Sequence, residues 1–361
     1  IAAVAVAFGK FTGYLFPQLN DAPPLYQNGS FMITWMQILA ILVILLLTYI
    51  NTKGIQSGKI VQFLFTSSKI IALILLIIGG VYLIKSNFFF ENISYRWDAF
   101  QNLKGEGWTS ISGATLMGGI AAAMVGSIFS SVAWENVTFI AGEMKNPKCD
   151  VVRSMVIGTT LVMVLYLFCN YVYLSALNRD EIAFAANDRV AVAAAEKLLG
   201  HSGTIAMVLL VMVSTFGCVN GIVLSGARVF QTMAKDGLFL KQAIANNKHD
   251  VPERSLWLQG IWASLLCLSG QYGNLLDMVS FVIVIFYMIT VFGVIYLRVK
   301  KPTLERSYRT FLYPITPLIY LIIGTVFCVL LILFKPNYTW PGFILIMMGV
   351  PIYYLSKRAN K

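Results

Sequence analysis

The 361-residue chain is 58% hydrophobic and only 12% charged, against roughly 25% charged residues in a soluble domain. Its apolar residues come in long blocks, which excludes a water-soluble enzyme and predicts a polytopic helical membrane protein. The formal net charge of +11 does not point to nucleic acid, because the cations cluster in alternate loops, as orientation in a bilayer requires.

A span needs about 20 residues at 1.5 Å rise. On that measure the apolar segments are 1–17, 31–50, 60–84, 111–141, 152–175, 204–230, 255–270, 275–298, 311–334 and 340–355. The chain opens Ile-Ala-Ala inside an apolar segment, so the sequence is read as lacking its natural N-terminus rather than as starting with a signal peptide. The loops around 51–59, 142–153, 235–254 and 298–309 and the C-terminal residues 357–361 hold most Lys and Arg. The other set of loops holds only Lys85, Arg96, Lys104, Arg179, Arg189, Lys197 and Lys335. The first set is expected to be cytoplasmic, with the C-terminus inside. Two outer loops are long. Residues 85–110 carry aromatics suited to the headgroup level, and residues 179–200 read as a short helix ending at Gly200 on the surface or over an outer vestibule.

In chain order, the first unusual residue is Lys69, in Thr66-Ser67-Ser68-Lys69. It lies ten residues beyond Lys59, about 15 Å into the span. A lysine there costs roughly 2.5–3.5 kcal/mol, so it is either tied to backbone carbonyls and hydroxyls or stands as a fixed charge at a cation site. The second feature is the run Gly126 to Pro147, GSIFSSVAWENVTFIAGEMKNP. Ser130, Ser131, Ala133, Glu135 and Asn136 interrupt an apolar run, and such interruptions face a cavity rather than lipid. A buried Glu135 would suit proton exchange; a Glu135 reaching a watery vestibule would not. The third is Ser214-Thr215-Phe216-Gly217-Cys218-Val219-Asn220-Gly221. Gly217 and Gly221 favour close helix packing, while Ser214 and Thr215 are candidates for meeting Lys69. Lys10 and Asp277 lie near outer ends, Asp277 as an interfacial residue. His201 and His249 fall on opposite sides, and no GxSxG, Walker loop or HExxH occurs, so no enzyme is expected. The five cysteines show no metal spacing, and neither a metal nor a cofactor is implied.

FSSVAWENVTFIAGEMKNPKCDVVRS, residues 129–154, resembles the sixth helix and inner loop of the amino acid–polyamine–organocation (APC) permease superfamily, in particular its bacterial amino acid permeases and L-type exchangers. FTSSKIIAL around Lys69 resembles that family's fifth helix, and Ser214 to Phe239 its eighth, so the likeness covers essentially the whole chain. The resemblance implies an all-α five-plus-five inverted repeat of the leucine-transporter kind followed by two helices, in one transporter domain over 1–361 whose first two helices are absent. It implies a substrate site at an unwound sixth helix (Phe129, Ser130, Ser131, Val132, Ala133 and Trp134) and coupling residues Lys69, Glu135, Ser214, Thr215 and Cys218. Lys69 matches a lysine that takes the place of sodium in sodium-independent members. Phe129 stands where the family often has an aromatic gate, and Glu135 where arginine/agmatine antiporters carry a pH-responsive acid.

The chain departs from the pattern at three places. Ala133 stands where the family commonly has Gly, which narrows the room around the substrate. Cys149 and Val152 replace a basic residue and a proline. The outer loop 20–30 has no Cys, so no disulfide-linked heavy subunit is implied. The expected function is sodium-independent amino acid transport by alternating access, by exchange or proton-coupled uptake, in a bacterial cytoplasmic membrane. The alternatives are a polyamine or cationic amino acid antiporter and, in another class, a non-transporting membrane sensor or scaffold.

Overall fold

The computed structural model describes residues 1–361 except 29–30, 85–86, 95–97, 103–106, 140, 187–188, 270–271, 307 and 360–361. The loop cations Lys85, Arg96, Lys104 and Lys361 lie outside the described residues. The helices are α1 (Ala2–Leu15), α2 (Pro17–Asp21), α3 (Trp35–Thr52), α4 (Ile55–Leu83), α5 (Phe89–Ser94), α6 (Gly113–Ser130), α7 (Asn136–Phe139), α8 (Pro147–Ala176), α9 (Arg179–Ala183), α10 (Val190–Lys235), α11 (Glu253–Cys267), α12 (Tyr272–Lys300), α13 (Ile315–Phe334) and α14 (Pro336–Ala359). Two small antiparallel hairpins join them: β1 (Tyr26–Asn28) with β2 (Phe31–Ile33), and β3 (Phe100–Asn102) with β4 (Trp108–Ser110).

Among the described residues, seven helices are long and apolar enough to cross a membrane. Ala2–Leu15 and Thr339–Tyr354 are apolar but shorter, and α11, with 15 residues, covers most of the expected segment 255–270. The expected span 111–141 is not continuous: α6 stops at Ser130 and helix resumes only at Asn136. The expected helix over 179–200 is two pieces, α9 and the first turns of α10. Gly200 (φ 68°, ψ −158°) breaks the α geometry there, at the position where the sequence puts the end of the outer helix.

The chain divides into two compact units. Unit 1 comprises residues 1–98, 157–236 and 240–271. In it α10 packs chiefly on α4 and α1, and α3 on α1 and α11. Lipid tails are as apolar as Leu, so helix association in a bilayer depends on close backbone approach and polar ties more than on hiding apolar surface. The sequence supplies small residues for this. Ala2, Ala3, Ala5, Ala7 and Gly9 make α1 a smooth buried face, and a Cβ on Gly9 would lie 2.5 Å from the Met36 carbonyl oxygen. A Cβ on Gly217 would lie 2.4 Å from Phe65 Cβ, so the small-residue run of α10 serves its contact with α4. Inside the same unit, Asn51 donates to Asn220 at 2.8 Å with both side chains fully buried.

Unit 2 comprises residues 99–156, 237–239 and 272–361. Its core joins Ala121 and Val125 of α6, Phe281 and Val284 of α12, and Phe327, Cys328 and Leu331 of α13. Asp277 is not interfacial as expected: it is 6% exposed, and Lys335 donates to its carboxylate at 3.0 Å. Each charge makes the other tolerable at a helix end inside apolar surroundings.

Candidate functional site

In unit 2 the candidate site is a break in a helix. α6 ends at Ser130 because its last carbonyls find other partners. The hydroxyls of Ser130 and Ser131 both donate to the Ser127 carbonyl, at 2.9 and 2.7 Å. The Ser131 amide turns back to Ile128 at 3.0 Å. Residues 131–135 are non-helical, and Ala133 has φ 71°, in the left-handed region that L side chains occupy reluctantly. That geometry gives a backbone reason for glycine at this position, beyond the loss of room that the sequence suggests. The Ala133 carbonyl then accepts from Asn136 and the Glu135 carbonyl from Thr138, which starts α7.

The break presents Trp134, 42% exposed, and the half-buried Glu135. Tyr287 of α12 donates its phenol proton to Glu135 Oε2 at 2.6 Å, and the Trp134 and Tyr287 rings lie 5.5 Å apart. Sequence reasoning missed Tyr287. A tyrosine in an apolar span counts as one more aromatic, and only its distance from Glu135 distinguishes it. Phe129 and Val132 are half-buried at the rim of the break.

In unit 1, Lys69 Nζ donates to the Ser214 carbonyl at 3.5 Å, the long limit of a hydrogen bond. The contact is to the main chain of Ser214, one of the two residues that the sequence offers as candidates for meeting Lys69. Thr215 spends its hydroxyl on the Val211 and Met212 carbonyls of its own helix. Cys218 is half-buried, with no hydrogen bond to Lys69 among the described residues. Among the described residues no group of His, Cys, Asp and Glu is arranged to hold a metal ion.

The fold is that of a multi-pass helical membrane protein, with a helix interrupted beside an acid and a half-buried lysine among helices. Residues 1–353 match the family model described as amino acid permease, and the chain belongs to that family. It is 30% identical over 358 residues to the large neutral amino acids transporter small subunit 2 of Mus musculus, covering 98% of this chain and 62% of that protein. It is 28% identical over 357 residues to the Asc-type amino acid transporter 1 of Mus musculus, covering 98% and 63%. The b(0,+)-type amino acid transporter 1 of Mus musculus is 26% identical over 320 residues, covering 88% and 62%. The chain thus spans less than two thirds of the length of these curated relatives, all of them mammalian.

Proposed function

We propose that the protein carries amino acids across a membrane by sodium-independent alternating access. The observation that carries this reading is the break after Ser130: a helix that stops inside an apolar run, with Ala133 held left-handed and an acid beside it. The C-terminal end of an 18-residue helix carries a partial negative charge of about half a unit. It would receive the ammonium group of an amino acid on main-chain carbonyls between Phe129 and Ala133. Phe129 and Trp134 would shape the side-chain pocket. Lys69 would hold the vacated cation site with a permanent charge, which removes the need for sodium.

The relatives' printed names make large neutral amino acids the first substrates to test. A small subunit has a larger partner by name; the lack of Cys in residues 20–30 argues that any partner here is held without a disulfide at that loop. The distribution of Lys and Arg supports a cytoplasmic C-terminus. A cationic substrate is the second reading, favoured by Glu135 at the break, where a carboxylate would meet a second positive charge.

The test is uptake of labelled leucine by the full-length protein in proteoliposomes, with sodium replaced by choline, with and without internal amino acid, and with and without a pH gradient. Unchanged uptake in choline supports the reading. Dependence on internal amino acid indicates exchange, dependence on the pH gradient indicates proton symport, and a requirement for sodium contradicts it.

A further inference from the structure

The segment after α12 has features that amino acid transport does not use. Between residues 298 and 309 the sequence holds Arg298, Lys300, Lys301, Arg306 and Arg309 with a single acid, Glu305. A cation-rich loop at the end of a span is ordinary; here, however, all three of its arginines converge on a concave site. Arg298, Pro302, Arg306 and Arg309 line a cavity of about 280 Å³, and no carboxylate lines it. Glu305 is engaged elsewhere, with Lys148 at 3.2 Å.

The three guanidinium groups are placed differently. Arg306 is the fold-maker. Its terminal nitrogens donate to the carbonyls of Pro302, Leu304 and Lys301 at 3.1, 2.8 and 2.9 Å, and to that of Leu297 at 3.4 Å, closing the loop over the end of α12. Its charge stays in the cavity wall while its forks are occupied. Arg298 lies over the Tyr313 ring, 3.9 Å from its centroid, and makes no hydrogen bond or ion pair among the described residues. Arg309 has no hydrogen bond or ion pair among the described residues. Two planar forks around one cavity, backed by a third cation, match the oxygens of a phosphate group better than they match each other.

The surroundings add a second observation. Val299, Tyr308, Phe311 and Leu312 are all exposed beside the arginines, Val299 and Phe311 at 73% and 72%. Exposed apolar and aromatic side chains next to cations at the end of a span mark headgroup depth, where an anionic lipid presents its phosphate.

We propose that Arg298 and Arg309, over a loop closed by Arg306, form a binding site for a phosphate group, presented by the headgroup of an anionic lipid or taken as free phosphate from solution. The site is independent of which substrate is carried. Its test uses the full-length protein in nanodiscs of dioleoylphosphatidylcholine doped with dioleoylphosphatidylserine, with retained lipid read by native mass spectrometry. In parallel, inorganic phosphate is titrated into protein in an uncharged detergent and followed by thermal unfolding. The wild type should retain phosphatidylserine over phosphatidylcholine. R309Q should weaken retention about fivefold, and R298Q with R309Q about 25-fold, at about 1 kcal/mol for each cation near the surface. K241Q, outside the cavity, should leave it unchanged. A response to lipid alone identifies the headgroup as the source, and a saturable response to phosphate lost in the double variant identifies the free anion. Because Arg309 makes no hydrogen bond or ion pair among the described residues, R309Q is the milder variant; wild-type retention of phosphatidylserine and wild-type phosphate response in both R309Q and the double variant would overturn the proposal, as would a wild type that responds to neither.

Discussion

Tyr287 donates to Glu135 at 2.6 Å across the break that ends α6, so among the described residues the acid at the unwound segment is held by a phenol from α12 and pairs with no cation. The Trp134 ring packs on the same tyrosine at 5.5 Å. The two contacts give Tyr287 a positioning role: it sets where the carboxylate and the indole stand relative to the exposed backbone. A hydrogen bond to a charged group contributes about 1.5–3 kcal/mol. A double-mutant cycle on transport rate with Tyr287→Phe and Glu135→Gln should therefore show a coupling of at least about 1 kcal/mol. Strictly additive single effects would remove Tyr287 from the account. If Glu135 relays protons, Glu135→Gln should also flatten the pH dependence of uptake.

Lys69 meets the main chain of Ser214. Lys69→Ala should slow uptake severely, on the order of tenfold or more, while the protein still inserts and remains monodisperse. Ser214→Ala should leave uptake within about twofold, because the acceptor is a carbonyl that alanine retains. Equal damage from both variants would show that the hydroxyl, and not the backbone, is the partner.

Ala133 occupies φ 71°. Ala133→Gly should stabilise the protein by about 1 kcal/mol, since glycine adopts this region without the Cβ clash. Ala133→Val should destabilise it by about 1–3 kcal/mol. Thermal unfolding in a fixed detergent decides this; a lower midpoint for Ala133→Gly would contradict the assigned backbone.

Gly217 leaves no room for a side chain, with Phe65 Cβ 2.4 Å from where its own Cβ would be. Gly217→Leu should cost about 1–3 kcal/mol by forcing α10 from α4. The shortfall should appear as lower yield of folded protein. Gly126, which has nothing within 4 Å of its Cβ position, is the control: Gly126→Ala should be harmless.

Outside the spans, Glu181 is hydrogen-bonded by Lys197 and capped by the Asn178 amide at 2.9 Å. The Lys197 bond first, and the backbone amide second, hold its carboxyl below the usual carboxylate range. A carboxyl lowered by folding stabilises above its unfolded pKa of 4.5, and that contribution is lost as pH falls through the lower folded value. Hydrogen exchange over residues 178–199 should therefore be steady from neutral pH to about 5, after correction for intrinsic rates, and rise below 4.5. Glu181→Gln should abolish that rise.

Much of the architecture was legible because membrane spans declare themselves by length and apolarity alone. The segments 60–84, 152–175, 275–298 and 311–334 fall on α4, α8, α12 and α13. Lys69 and Glu135 stood out because a charge in an apolar run is costly. What stayed hidden depends on pairing across sequence. Tyr287 looks like any span aromatic until it is 2.6 Å from an acid. Asp277 and Lys335 are each unremarkable at a helix end and become informative only at 3.0 Å from each other. Ala133 gave no hint of its left-handed backbone beyond the glycine that the family commonly has there. The end of α6 was blurred for a similar reason: Ser130 and Ser131 are compatible with a continuing helix, and only their bonds to the Ser127 carbonyl show that they close it.

The central claim is that the backbone between Phe129 and Trp134 is part of the amino acid site. It is tested most directly by placing a single reactive thiol there, as Val132→Cys in the full-length protein with its native cysteines replaced, including the five in this chain. Its alkylation by a membrane-permeant maleimide is then timed with and without saturating substrate. The account predicts that a transported amino acid slows labelling at this position about tenfold or more, as occupancy of an overlapping site requires, while an amino acid that is not transported leaves it unchanged. A variant that still transports but is labelled at the same rate with and without substrate would contradict it.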